Sequence, residues 1–260
     1  MKKKQLITML AIGTVVLPFG ALKVEAEETK EYESNGAVEF IPNLDPTDPV
    51  DPENPDPEKP VAPIDPTDPE GPNPGTQGPL SIDFASSLDF GKNRISNKDQ
   101  TYFARAQKYQ GEQKDTPNFV QISDNRGTNG GWTLTVKQEA QLTATTQTLN
   151  DVLTGAQIKL SAPSVNSNAQ NVEKPVAVDE IALTPGVESV VTTAAIGAGS
   201  GTWATYWGAV EEVEERDEEG TVQNVNVTKD VQLSVPGATP KDAVKYQTKL
   251  VWTLTDVPGE

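Results

Sequence analysis

Acid–base chemistry in this chain can rest only on carboxylates, because its 260 residues include 38 Asp and Glu but no His and no Cys. The missing imidazole excludes Ser-His-Asp and Cys-His nucleophilic machinery and most zinc sites. The missing thiol excludes disulfides and thiolate metal centres. Paired carboxylates could still hydrolyse glycosidic bonds, but that reaction needs two of them across a cleft at a defined separation, and no pair stands out among so many solvated acids. The densest run, from Glu211 to Gly220, carries eight charges of which seven are negative. It lacks the alternating Asp, Asn and Gly spacing of a calcium loop and reads as a solvated loop or exposed hairpin tip. No catalytic residue, cofactor or metal is expected, and the chain does not read as an enzyme.

Aromatic chemistry is the alternative. The four tryptophans are Trp132, Trp203, Trp207 and Trp252, and two of them open the same word: Trp132-Thr133-Leu134-Thr135 and Trp252-Thr253-Leu254-Thr255. Each word sits in a run that alternates as a half-buried strand does. Trp132, Leu134 and Val136 share one face of the first. Val244, Tyr246, Leu250, Trp252 and Leu254 share one face of the second, with Thr248 interrupting, while Lys245, Gln247, Lys249, Thr253 and Thr255 fall opposite with Val251. An exposed indole would stack on a sugar; an inward one would build core. Both readings stay open for Trp132 and Trp252. They stay open too for Trp203 and Trp207, in Gly201-Thr202-Trp203-Ala204-Thr205-Tyr206-Trp207-Gly208, which fits a binding loop or a core strand. Ahead of the first word, Asp124-Asn125-Arg126-Gly127-Thr128-Asn129-Gly130-Gly131 has turn composition, with Arg126 able to pair with Asp124 or with a ligand carboxylate.

Residues 1–26 predict a signal peptide: Lys2, Lys3 and Lys4, an apolar run from Leu6 to Leu22, and Val24-Glu25-Ala26 ahead of cleavage after Ala26. No later segment reads as a membrane span, and no Leu-Pro-x-Thr-Gly sorting word follows, so retention at a surface is expected to come from the folded domain. The net charge of -17 becomes -20 once residues 1–26, with four lysines and one glutamate, are removed. So acidic a chain is unsuited to nucleic acid and is repelled by other polyanions. Contact with an anionic surface would then rely on stacking and hydrogen bonding, a partner protein or a bridging cation.

Residues 27–41 form a short N-terminal segment in which Ala37–Ile41 is a candidate edge strand. Residues 42–79 repeat Asp-Pro units, as in Asp45-Pro46-Thr47-Asp48-Pro49 and Asp65-Pro66-Thr67-Asp68-Pro69. Fixed proline dihedrals, lost donors and like charges predict a disordered, extended segment without packed structure. From residue 80 to 260 the pattern is all-β. Strands are expected at Leu80–Phe84, Leu88–Phe90, Phe119–Ser123, Trp132–Gln138, Gln157–Ser161, Ser189–Thr193, Val225–Val235 and Val244–Thr255, with a helical turn within Glu139–Leu153. Short strands between Gly, Pro and Asn clusters argue a sandwich- or barrel-like domain.

The two Trp-x-Leu words behind a secretory leader resemble the WxL-domain surface proteins of Gram-positive bacteria. The likeness extends to Tyr246, Leu250, Trp252, Leu254 and Pro258, with Val251 where Thr is usual. It also covers Gly78-Pro79-Leu80-Ser81-Ile82, Leu88-Asp89-Phe90-Gly91, Asp124-Asn125-Arg126-Gly127-Thr128, Gly201-Thr202-Trp203 and Leu233-Ser234-Val235-Pro236-Gly237. The resemblance implies a secreted, non-catalytic module attached non-covalently to peptidoglycan at the cell wall. An adhesin-like protein for a host ligand or a companion surface protein is the second reading.

Overall fold

The computed structural model describes residues 29–216 and 219–259. The expected signal peptide, residues 1–26, lies outside them. The chain divides into Met1–Glu39 and Phe40–Glu260. Of the first unit only residues 29–39 are described, and these are exposed and carry no regular structure. The edge strand expected at Ala37–Ile41 does not form: Phe40 is 88% and Ile41 82% exposed. Pro42 follows at once and cannot donate to a ladder.

In chain order the strands of the second unit are β1 (Leu80–Ala85), β2 (Gln100–Arg105), β3 (Phe119–Asp124), β4 (Trp132–Gln138), β5 (Thr143–Ala144), β6 (Gln157–Ser161), β7 (Pro163–Asn166), β8 (Val176–Ala177), β9 (Glu180–Ala182), β10 (Glu188–Ala194), β11 (Gly201–Trp207), β12 (Val210–Arg216), β13 (Val222–Val235), β14 (Tyr246–Gln247) and β15 (Leu250–Thr255). No helix occurs among the described residues. The turn expected within Glu139–Leu153 is instead the short β5 and its loops, as the Thr-rich composition allows. Leu88–Phe90 is not a strand, and the run from Val244 breaks at Thr248 into β14 and β15.

Pairing is antiparallel throughout the strand ladders. One sheet runs β1-β3-β11-β7, a second β15-β4-β10-β8, and a third β12-β13-β6-β9 with β2 also pairing with β13; β14 and β5 form a small fourth. The first three sheets feed one core. Ile82, Val120, Ile122, Trp203 and Trp207 enter it from the first, Trp132, Leu134 and Val136 from the second, and Ile158, Leu160, Val231 and Leu233 from the third.

Strand β3 is buried at all six positions, which a sheet with one wet face cannot provide. Val120 and Ile122 point to the main core, while Phe119 packs on Phe84 with ring centroids 4.8 Å apart in a second cluster with Tyr109 and Ala204. Val61, from the Asp/Pro segment, packs against that second cluster. Residues 42–79 therefore form a belt over the far side of the first sheet, which corrects the expectation that nothing packs there. The belt has no ladder beyond a Pro63–Tyr109 bridge, as proline demands, and is held by specific contacts instead. Buried Val50 donates its amide to the Gln121 side chain at 2.8 Å, and Val61 donates to the Pro49 carbonyl at 2.8 Å. Thr76 caps the edge of β1: its amide donates to the Ile82 carbonyl, and its hydroxyl accepts from the Ile82 amide.

The Asp-Pro units are turns as much as spacers. In Asp51-Pro52-Glu53, Asp56-Pro57-Glu58, Asp65-Pro66-Thr67 and Asp68-Pro69-Glu70 the amide two residues beyond the Asp donates to its carboxylate, at 2.9, 3.1, 2.7 and 2.9 Å. The intervening proline has no N–H, so this is the first donor the carboxylate meets.

Candidate functional site

The two Trp words are neighbours. β15 pairs antiparallel with β4 so that Leu254 stands opposite Leu134, Thr253 opposite Thr135, and Trp252 opposite Val136. Apolar positions therefore stand opposite apolar ones and threonines opposite threonines, and the apolar set of both strands points to the core. Trp132 and Leu134 are fully buried. The Trp132 indole donates to the Gly199 carbonyl at 3.0 Å. Gly199 has a φ of +73°, and a Cβ there would lie 2.7 Å from the indole nitrogen, so no side chain fits beneath the ring. Trp252 and Leu254 are half-buried against the same core.

Trp203 and Trp207 lie on core strand β11, not on a binding loop, and are 5% and 2% exposed. The Trp203 indole donates to the Ser200 carbonyl at 3.0 Å, which satisfies its one donor inside the fold. The aromatic platform raised by the sequence is thus inward for Trp132, Trp203 and Trp207. Stacking by their faces is closed to an external sugar.

Other residues behind the resemblance have local duties. Arg126 clamps Asp124 through two bonds of 2.9 and 2.7 Å and also donates to the Gly131 carbonyl at 2.7 Å, closing the turn between β3 and β4. The Tyr246 hydroxyl donates to the Asn150 carbonyl at 2.6 Å and accepts from the Asp242 amide at 2.9 Å. Asp242 accepts from the Thr148 hydroxyl, the Asn150 amide and the Asn150 side chain, and these bonds, that of Thr148 first, pull its pKa down to about 2. Gly91 has a φ of +73° beneath the guanidinium of Arg105, which forms a two-pronged pair with Glu215 at 2.6 Å for each bond. That pair ties the acidic run to the domain: residues 211–216 lie in β12, one largely exposed arm of a hairpin with β13, which fits the hairpin reading and not the loop.

What faces outward from the Trp sheet is the other half of each word. Thr253 of β15, Thr135 of β4 and Val190 of β10 form one cross-strand row; Val251, Lys137 and Glu188 form the next. A third row, Thr255, Thr133 and Thr193, continues to Val176 of β8. The chain end crosses this third row: Thr133 donates its hydroxyl to the Val257 carbonyl at 2.8 Å, and the Gly259 amide donates to the Ala194 carbonyl at 2.9 Å. The other two rows stay open.

Buried polar groups that the sequence did not single out lie on the belt side. Asp83 is 6% exposed and accepts from Ser81 at 2.7 Å, Gln121 at 2.9 Å and Ser123 at 2.7 Å. Burial raises its pKa, against the pull of those three bonds. A cleft of about 570 Å³ where the belt meets β7 is lined by Asp51, Glu53, Asp56, Lys59, Gln113 and Asn166. Among the described residues no group of three or more acidic side chains is arranged to hold a metal, and no helix is long and apolar enough to cross a membrane.

The fold is thus an all-β domain whose paired Trp words face its core and whose outward sheet face carries hydroxyls. The chain matches the family described as WxL domain surface cell wall-binding over residues 27–258, and it belongs to that family. It is accordingly a cell-surface protein that binds the cell wall. No curated protein and no solved structure matches the chain.

Proposed function

We propose that this chain is a secreted, non-catalytic surface protein held non-covalently on peptidoglycan by the whole domain rather than by a peptide motif. The observation that carries the reading is the register of β4 and β15: the two family words complete one sheet of one core, so anchoring competence and folding are the same property. The family match from residue 27 supports it by including the belt in the unit. The want of His and Cys leaves no Ser-His-Asp triad and no thiolate nucleophile, which narrows any hydrolytic chemistry to carboxylates. The charge of the exported chain works against attachment through anionic wall polymers.

Sedimentation of the full chain with purified peptidoglycan, with and without its anionic polymers, tests this. Binding is expected to both preparations and to be at least as strong on the stripped one. Binding only to the decorated wall would assign the anionic polymer as ligand and overturn the proposal.

A further inference from the structure

The core accounts for Trp and Leu in each word but not for Thr. In both copies the outward positions are Thr, and in the fold those side chains turn away from everything the tryptophans pack against. Thr133 and Thr255 serve the chain end: Thr133 bonds the Val257 carbonyl, and Thr255 donates to the Thr133 carbonyl at 3.4 Å. Thr135 and Thr253 stand opposite one another on the open rows. The Thr135 hydroxyl donates to Glu188 at 2.5 Å and also lies 3.4 Å from the Thr253 carbonyl. Among the described residues the Thr253 hydroxyl has no partner.

Resting on the wall-binding reading, we infer that the open rows, Thr253-Thr135-Val190 and Val251-Lys137-Glu188, are the contact surface and that their ligand is an extended glycan chain rather than a peptide. The chemistry of the face selects that ligand over others. Strand spacing sets hydroxyl and methyl groups about 4.8 Å apart across the rows, a repeat close to that of successive sugars in an extended β-linked polymer. Each Thr offers a methyl for the C–H face of a sugar beside a hydroxyl for its polar rim, and Val190, 43% exposed, adds methyls. In a chain of net charge -17 the two rows carry one cation and one anion, Lys137 and Glu188, opposite each other in register. A stem peptide would be met by unpaired charges or by Arg forks at its carboxylates. A protein partner would be met by aromatic, Met and Arg anchors, and a lipid surface by large apolar side chains. These rows hold no Arg, Met, aromatic or large apolar side chain, and their one cation is Lys137.

The test compares the full chain with the double variant Thr135→Val, Thr253→Val, which keeps shape and strand preference while removing two hydroxyls, and with Thr253→Glu, which sets an unpaired charge on the row. Glu214→Gln on β12 is the control. Probes are intact peptidoglycan, peptide-free glycan strands released by an amidase, and the free stem peptides. The expected result is that the wild type binds intact peptidoglycan and glycan strands but not stem peptides. Both face variants should weaken that binding by about tenfold with unchanged denaturation midpoints, and the control by nothing. If the wild type binds peptidoglycan and the folded face variants bind it equally well, the face is not the contact, though the wall-binding reading stands. Binding to stem peptides alone overturns the glycan assignment. If the wild type binds no peptidoglycan preparation, the proposed function falls and this inference with it.

Discussion

The rings of Trp252 and Trp207 lie 6.2 Å apart between centroids and are tilted by 38°, joining the sheet that carries both Trp words to the sheet that carries β11. That is the distance and attitude at which indoles attract through their quadrupoles as well as by burial. The distal word thus meets, across the core, a tryptophan from a different part of the sequence. The proximal word contributes the deeper Trp132, fully buried and hydrogen-bonded.

Trp132→Ala is therefore expected to cost about 3–5 kcal/mol, through lost burial and the cavity left between three sheets. Trp252→Ala, at a half-buried position, should cost about 1–3 kcal/mol. Urea denaturation measures both, and sedimentation on peptidoglycan run beside it should show retention falling in step with the folded fraction. Should Trp252→Ala keep its midpoint while losing the wall, the half-exposed edge of that indole would be a contact and the core assignment would be wrong.

Gln121 is expected to be the residue that fastens the belt. It is fully buried, accepts from the Val50 amide, and donates to the Asp48 carbonyl at 3.0 Å and to Asp83 at 2.9 Å. Gln121→Ala removes all three bonds and should destabilise the domain by about 1–3 kcal/mol. Hydrogen exchange reports it locally: the Val50 and Val61 amides should lose protection before those of β4. Deleting residues 42–79 should expose Phe84, Phe119 and Tyr109 and lower the midpoint further. A deletion that leaves the midpoint unchanged would restore the reading of the segment as extended and unpacked.

How much of this was legible in the sequence follows from what each signal measures. Trp132–Gln138 and Gln157–Ser161 appear with the bounds their alternation predicts, because a strand with one buried face writes its period into the residue types. Strand β11 was ambiguous because Trp203 and Trp207, four apart, share a face in a strand and lie close on a loop as well. β2 went unseen: Gln-Thr-Tyr-Phe-Ala-Arg has little alternation, and its place is fixed by pairing with β13. The belt was misread for a different reason. Asp-Pro repeats are compositionally those of open chains, and what holds them here is a handful of polar side chains 22 to 114 residues away, such as Ser87 on Asp65, Gln107 on Ile64 and Asn166 on Pro52. Local composition carries no trace of such partners. The outward threonines were on the page from the start, but only the register showed Thr253 and Thr135 to be opposite one another.

Asp83 gives stability a pH dependence of definite sign. Burial holds its folded pKa above the ordinary carboxylate value, and its three partners are neutral donors with no cation among them. The folded state therefore favours the protonated acid. That contribution is fully present below the unfolded pKa, near 3.9, and is lost as pH rises through the raised folded value. Asp242 works the other way: with a folded pKa of about 2 it contributes stability above the ordinary value that disappears as pH falls towards 2. Melting temperatures of wild type and Asp83→Asn from pH 7 to pH 4 separate the two. The wild type should gain on the variant as the solution is acidified; parallel curves would mean that Asp83 does not titrate in this window.

Gln138 closes the inward row of β4 after Trp132, Leu134 and Val136, is fully buried, and finds no partner among the described residues for either atom of its amide. An unsatisfied buried polar group costs about 1–3 kcal/mol, whereas an unbranched thioether of similar length asks for no hydrogen bond. Gln138→Met is thus expected to raise stability by about 1–2 kcal/mol, read as a higher urea midpoint at an unchanged slope. The outward rows lie on the opposite side of the same strand, so peptidoglycan binding should not change. A lower midpoint would mean that ordered water completes the bonds of the amide and that the row was built to hold it.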